Sequence, residues 1–254
     1  MAKNWEDAQL NEKKFWKEIY LDQNPKDNVY QIAKNEDLIS FTKQVCERHE
    51  IKIENFSDKV LIDIGCGPFG IIKGLSLIDK DQNINIKKIF GIDPLMDFFK
   101  KNIGILKEDE HLELINSQGE KIPLKDQIAD YIFSSNVLDH CHDPEKVISE
   151  ADRVLKDSGE FFCSVHVVYP SLSIIAPFLK YVDKNHPKHF TEKFFLNILK
   201  TKFRNIKVTY RAKMFEDHPK FKFSNIISNK NILRGIKRFL SHYILYTVYF
   251  SCKK

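Results

Sequence analysis
Residues 59–70 read Lys59-Val-Leu-Ile-Asp-Ile-Gly-Cys-Gly-Pro-Phe-Gly70. The near-continuous apolar run from Val60 to Ile64 predicts a short buried strand. It leads directly into Gly65, Gly67 and Gly70, a G-x-G-x-x-G spacing that predicts a tight loop opening a helix over 71–78. The chain of 254 residues contains only nine glycines, about half of what an average usage of roughly 7% supplies. Three of them within six positions mark a place where the backbone must turn sharply or approach something closely. A strand, a glycine loop and a helix N-terminus in that order aim backbone N–H groups at one point.

The same strand-then-helix rhythm extends outward. Upstream, Trp5, Leu10, Phe15, Trp16 and Ile19 predict an amphipathic helix over 5–20, broken by Asn24-Pro25, and a second helix runs over 31–49. Downstream, strands are predicted at 88–93, 112–116, 129–134, 160–168, 205–211 and 243–251. Helices fall between them at 95–103, from Asp143-Pro144 to Leu155, and from the cap Thr191 to Lys200, with a turn at Asp157-Ser-Gly159. Such alternation predicts an α/β domain with a mostly parallel sheet and helices on both faces. Ligands of these sheets bind beyond the carboxyl ends of the strands, so the loops after Ile64, Asp93, Asn116, Ser134 and Val168 should gather around one site.

Composition narrows the class. With 43% apolar and 30% charged residues and no low-complexity tract, the chain is neither collagen-like nor disordered. The net charge is +5, but only six of the forty basic residues are Arg, which argues against a nucleic-acid reader. Five cysteines without a C-x-x-C pair fit a reduced, cytoplasmic protein without a structural zinc. The first residues lack the apolar core of a signal peptide, and the longest apolar stretch, 239–250, is too short to span a bilayer.

The acids flanking the glycines specify the ligand further. G-x-G-x-x-G alone suits NAD as well, and a nicotinamide oxidoreductase is one alternative. Asp63, two residues before the first glycine, disfavours a pyrophosphate and favours an ammonium group. Asp93, at the end of the next strand, can accept both hydroxyls of a ribose. A ribose joined to a cationic amino-acid end, without phosphate, describes S-adenosylmethionine (SAM).

Here the chain resembles the class I SAM-dependent methyltransferases. The resemblance covers about residues 58–212 and rests on three stretches: Val60–Gly70, Gly91-Ile-Asp-Pro94, and Ala129–His140 continuing through Asp143-Pro-Glu-Lys-Val to Glu150–Lys156 and Gly159. It implies a Rossmann-like, doubly wound, mostly parallel seven-stranded sheet, with SAM as methyl donor, S-adenosylhomocysteine as product and no metal. Asp63, Gly65, Gly67 and Asn136 would surround the methionine end, with Cys66 and Gly70 in the same cofactor-binding loop; Asp93 would bind the ribose, and Pro94 would lie against the adenine. Before Ile122-Pro123, where many relatives carry Asp-Ala, this chain has Gln118-Gly119-Glu120. The Gln118 carbonyl can accept the adenine amino group in the Asp's place, with Gly119 in the same loop and Glu120 expected as a surface carboxylate. Cys66 is read as a small loop-filling residue, because transfer from a sulfonium is direct displacement and needs no covalent intermediate.

A hydroxyl acceptor needs a base for its proton. His140, after the Asn136 segment, is the first candidate; Asp139 is a base or an orienting carboxylate, and His166 in the fifth strand is a weaker third. A loop hydrogen bond for His140 and a packing role for His166 are the competing readings. The polar stretch 183–191, with His186 and His189, should help cover an acceptor pocket and lacks a third ligand for a metal.

Three regions follow: an N-terminal helical lid over 1–50 including Trp5, Trp16 and Tyr30, a SAM-binding core over 51–213, and a basic helical insertion with a last sheet-completing strand over 214–254. The last region has no acidic residue after Asp217; its Lys and Arg face either solvent or, in a weak contact, an anionic membrane surface or phosphorylated carrier. The expected activity is methyl transfer to a hydroxyl, or an amine, of a small-molecule or glycan-type acceptor. A SAM-binding regulatory or scaffold protein without turnover is the alternative from another class.

Overall fold
The computed structural model describes residues 9–14, 16–17, 35–68, 70–102, 108, 110–175, 188–213 and 244–254. Trp5, Tyr30, His186 and the basic stretch at 225–241 lie outside the described residues.

Continuous apolar runs become the central strands, since a strand buried on both faces needs no alternation. The strands are β1 (Val60–Ile64), β2 (Lys88–Asp93), β3 (Leu112–Asn116), β4 (Ala129–Ser135), β5 (Leu155–Val168), β6 (Phe190–Thr191), β7 (Asn205–Lys213) and β8 (Leu245–Lys253). The helices are α1 (Asn35–Arg48), α2 (Gly70–Gln82), α3 (Met96–Asn102), α4 (Pro144–Val154) and α5 (Glu192–Leu199). Residues 9–14 and 16–17 are also helical, and short 3-10 turns lie at Ile53–Phe56 and Pro170–Ile175.

Seven strands form the sheet in the order β3-β2-β1-β4-β5-β8-β7, with two-residue β6 beside β5. β1 to β5 pair in parallel, whereas β8 runs antiparallel between β5 and β7. The expected Rossmann-like, mostly parallel sheet with helices on both faces is therefore present. Because β8 occupies the other edge of β5 through Val168, β6 lies on the β4 side, beyond the end of β4. The chain winds from β1 outward to β3 and returns to β4 on the opposite side of β1, which makes the β1/β4 boundary the switch point.

Each face has its own core. On one, Val45, Cys46, Ile71, Ile72 and Leu75 of α1 and α2 cover Leu61, Phe133 and Phe162. On the other, Val147, Ile148 and Ala151 of α4 join Phe195 and Leu199 of α5 against Ile132, Val165 and Phe250. All five cysteines are free and buried. Local signals at the helix starts hold: Asp143 accepts from Lys146 N at 3.1 Å ahead of Pro144, and Thr191 accepts from Phe194 N at 3.3 Å.

The structure also revises the sequence reading. Residues 157–159, expected as a plain turn, lie within β5 at a break in register: the chain advances five positions from Leu155 to Glu160 where β4 advances only two, Ala129 to Tyr131. β8 ends at Lys253, two residues later than expected, because it pairs with Glu160 and Asn205 to its end. The region grouped as a lid over 1–50 divides, since α1 is part of a core layer. Among the described residues, the helical 9–14 and 16–17 remain as a candidate cover. No helix among the described residues is long and apolar enough to cross a membrane.

Candidate active site
The loop after β1 is closed from beneath by two acids. Asp63, at the fourth position of β1, turns its Oδ2 to Ile71 N at 3.1 Å and so joins the strand to the first turn of α2. Asp93, the last residue of β2, accepts from Gly67 N at 3.0 Å through Oδ2 and from Leu95 N at 2.8 Å through Oδ1. Gly65 N and Cys66 N both donate to Ile92 O, at 2.7 and 3.2 Å. One carboxylate thus fixes two loops, those after β1 and β2.

Two glycines of this loop differ in what surrounds them. Gly65 sits at φ 71°, and a Cβ there would collide with the methyls of Val137 in the loop after β4. Gly67, at φ 55°, is open; the nearest atom to its would-be Cβ is Cζ2 of Trp16 at 3.9 Å. One glycine lets two loops meet, and the other lies beneath the Trp16 ring. Gly70 lies over the Asp63 carboxylate, and Cys66 is buried with its Sγ against Gly91. Burial, with Asp93 and Asp63 beside it, pushes the Cys66 thiol far above its ordinary range, so it is not a thiolate nucleophile.

Burial also raises both carboxyls against the pull of the backbone N–H groups they accept from. Asp63 is pushed up to about 7, with the charge of Asp93 adding to the shift. Asp93 is pushed up to about 6, with Glu12 adding. Three acids, Asp63, Asp93 and Glu12, therefore share one region. That concentration of negative charge suits a ligand bearing hydroxyls and a positive group, and it opposes a phosphate.

The loop after β3 supplies a third wall. Gly119 is buried, its would-be Cβ 2.9 Å from Ile64 Cγ2 at the end of β1, while the Gln118 side chain is exposed. Arg153 pins the stretch that follows: it donates to Leu124 O and Ile122 O and pairs with Glu150 and Asp126. Glu120 is not the expected surface carboxylate. It is buried at 8% exposure and accepts from Asp143 N at 3.1 Å, tying the loop to the start of α4. Pro94, half-buried, follows Asp93 directly.

The loop after β4 has another character. Asn136 takes φ 55°, its N–H donates to Ser164 O at 2.9 Å, and its buried Oδ1 has no hydrogen-bond partner among the described residues. Asp139 is buried, and His140, in the turn 138–140, stands with Nδ1 3.5 Å from Glu12 Oε2. The Trp16 indole donates to Glu12 Oε1 at 3.1 Å and meets Phe99 of α3 edge-on at 5.9 Å. His140 is thereby linked to the glycine loop through Glu12 and Trp16. His166 is directed elsewhere, its Nδ1 2.9 Å from Thr247 Oγ1 on β8.

Glu12 is the residue the sequence reading missed. Its spacing of four from Trp16 is visible in the sequence, but its approach to His140 spans 128 positions and has no local signature. A separate concavity of about 790 Å³ opens between α5 and the β7–β8 edge, where Glu192 holds Arg211 and the Tyr246 hydroxyl. Among the described residues no group of three His, Cys, Asp or Glu side chains gathers as a metal site.

Residues 62–163 match the family model of a methyltransferase domain. An uncharacterized methyltransferase of Schizosaccharomyces pombe is 28% identical over 130 residues, 48% of this chain and 45% of that protein. A ubiquinone/menaquinone biosynthesis C-methyltransferase of Acidiphilium cryptum is 40% identical over 63 residues, covering 24% of this chain and 25% of its own length. The chain thus spans less than half the length of these curated relatives. Among solved structures, Haemonchus contortus phosphoethanolamine N-methyltransferase 2 with S-adenosyl-L-methionine bound superposes at a TM-score of 0.59 and 15% identity, over 87% of this chain and 57% of that one. Geranyl diphosphate C-methyltransferase of Streptomyces coelicolor, bound to S-adenosyl-L-homocysteine, also reaches 0.59, at 12% identity over 91% and 84% of the two chains.

Proposed function
We propose that this chain, whose residues 62–163 form a domain of the class I SAM-dependent methyltransferase family, transfers the methyl group of SAM to a hydroxyl of a small-molecule or glycan-type acceptor. The observation that carries the reading is the meeting of two loops at the switch point. The acid-lined glycine loop and the turn bearing Asp139 and His140 touch through Gly65 and Val137.

SAM supplies an electrophilic methyl group on a sulfonium: the acceptor oxygen forms the new O–C bond, and the S–C electron pair stays on sulfur. The chain's own residues hold the reactants in line and exclude water. Asp93, at the floor of the crevice, receives the ribose hydroxyls while it keeps the loops after β1 and β2 together. Asp63 acts from beneath the loop, holding its geometry through Ile71 N and adding negative charge under the cationic end. Gln118 accepts from the adenine amino group, beside Gly119 and Pro94. Asn136 Oδ1, a buried acceptor without a partner among the described residues, faces the need for a donor that an ammonium group meets. His140 takes the proton of the acceptor hydroxyl, with buried Asp139 behind it.

In this arrangement residues 51–213 are the cofactor-binding core, the helical residues 9–14 and 16–17 cover it, and 214–254 add the last strand and a basic segment whose Lys and Arg face either solvent or, in a weak contact, an anionic carrier or membrane surface. The test is isotope transfer from methyl-labelled SAM into extract, with the labelled product identified. An O-methylated small molecule or sugar is expected. SAM binding by calorimetry without label transfer to any extract component would replace this reading with a non-catalytic SAM-binding protein.

A further inference from the structure
Glu12 is placed where an acid has chemical consequences for His140. Its carboxylate is held on one side by the Trp16 indole, one helical turn on, so that Oε1 is engaged and Oε2 is presented to Nδ1 of His140 at 3.5 Å. Trp16 is in turn seated against Phe99 and over Gly67. The pair is largely shielded: the side chains of His140 and Glu12 are 27% and 32% exposed. Asp139, a second acid, precedes His140 in the same turn.

We propose that Glu12 is a positioning residue that keeps the His140 proton on Nδ1, leaving the Nε2 lone pair to receive the acceptor's proton. A neutral imidazole carries one N–H and one lone pair, and the partner of one nitrogen decides which is which. A carboxylate beside Nδ1 selects the Nδ1–H form and stabilises the imidazolium that follows proton uptake at Nε2. At 3.5 Å the two groups stand at ion-pair distance, and a contraction of about half an ångström makes the contact a hydrogen bond, as catalytic pairs commonly do once the site is loaded. Because Glu12 belongs to the helix over the glycine loop, the base is set only when that helix is seated. The inference rests on the reading of His140 as the acceptor's base, but its decisive test does not require turnover.

Two-bond proton–nitrogen spectra of the ¹⁵N-labelled full chain with S-adenosylhomocysteine report the tautomer of each of the nine histidines, and His140→Gln assigns the relevant signal. The Nδ1–H pattern is expected in the wild type and is lost in Glu12→Gln, whose amide oxygen still accepts from Trp16. An unchanged pattern in Glu12→Gln, or one that changes only in Asp139→Asn, overturns the proposal. With a labelled acceptor in hand, Glu12→Gln lowers kcat about 10- to 100-fold and has no further effect on kcat in the His140→Gln background. The same loss in both backgrounds assigns Glu12 a merely structural role. A chain that shows the tautomer shift but transfers no methyl group breaks the functional reading alone; one that transfers methyl with an unchanged tautomer breaks this inference alone.

Discussion
The loop after β1 and the loop after β4 meet at the switch point, yet they are built in opposite ways. In the first, Gly65, Cys66, Gly67 and Ile71 all have their N–H groups engaged by Ile92 O, Asp93 or Asp63. Where β4 runs into the second, three successive side-chain oxygens, those of Ser134 and Ser135 at the end of the strand and of Asn136 in the loop, are buried without a hydrogen-bond partner among the described residues. A buried oxygen without a donor costs about 1–3 kcal/mol, so the second loop is the less comfortable of the two without a ligand. Under the proposed function the contrast gives them different work: the first is a finished cradle for SAM, and the second is an unfinished surface completed by whatever binds beside it.

The largest test of that division is at the second loop. His140→Gln should lower turnover about 10²- to 10⁴-fold, the usual range for loss of a general base, while calorimetric SAM affinity stays within about twofold. Equal losses in binding and turnover would erase the distinction between the loops. Next comes Gly65→Ala in the first loop. A side chain there meets Val137 and must hold φ 71°, which costs about 1–2 kcal/mol for the left-handed backbone and about 1–3 kcal/mol for overpacking. SAM affinity should fall about 10- to 100-fold by the same energy scale, with melting temperature falling alongside.

How far each loop could be read from sequence follows from the same contrast. The first is local: Asp63, the glycines and Ile71 lie within nine positions, and their spacing alone implies a turn into a helix. The caps Asp143 and Thr191 are equally local, since each bonds an N–H three residues on. The second loop depends on distant partners. Asn136 is fixed by Ser164 and His140 is approached by Glu12, and beyond the loop His166 of β5 is drawn to Thr247, 81 positions away. From sequence Glu120 reads as a surface acid, because nothing nearby indicates that the N-terminus of α4 will lie over it. The strand and helix pattern reveals which loops gather, and only packing decides where their side chains turn.

A third test separates the two regions by pH. Asp63 and Asp93 are raised to about 7 and about 6, chiefly by burial, from ordinary values near 4. A carboxyl raised in the folded state stabilises the ligand-free fold fully below its unfolded value, and that contribution is lost as pH rises through the folded value. Ligand-free melting temperature should therefore drift down between about pH 4 and 7 on account of these groups. Affinity for cationic SAM should move the other way and rise about tenfold from pH 5.5 to 8, one pKa unit of coupling. Calorimetry in buffers of different ionisation enthalpy should show proton release at pH 6.5. A flat affinity would mean that neither acid senses the cation.

The smallest expected effect lies at the contact between the loops. Val137 is half-buried, joins the core on the α4 face, and fills the space that any Cβ on Gly65 would need. Val137→Ala alone should cost about 1 kcal/mol by loss of packing, with SAM affinity and turnover each reduced by no more than about fivefold. Its value lies in combination. In Gly65→Ala/Val137→Ala the collisions with the two methyls are removed, but the Cβ of residue 137 at 2.9 Å and the left-handed backbone at residue 65 remain, so the double variant should recover most of the overpacking part of the Gly65→Ala loss and keep about 1–2 kcal/mol of it. Measured as a cycle on SAM affinity, a coupling of at least about 1 kcal/mol means that the two loops share one steric boundary. Simple additivity would show them to be neighbours in the fold but independent in energy, and binding in the first could not then set the geometry of the second.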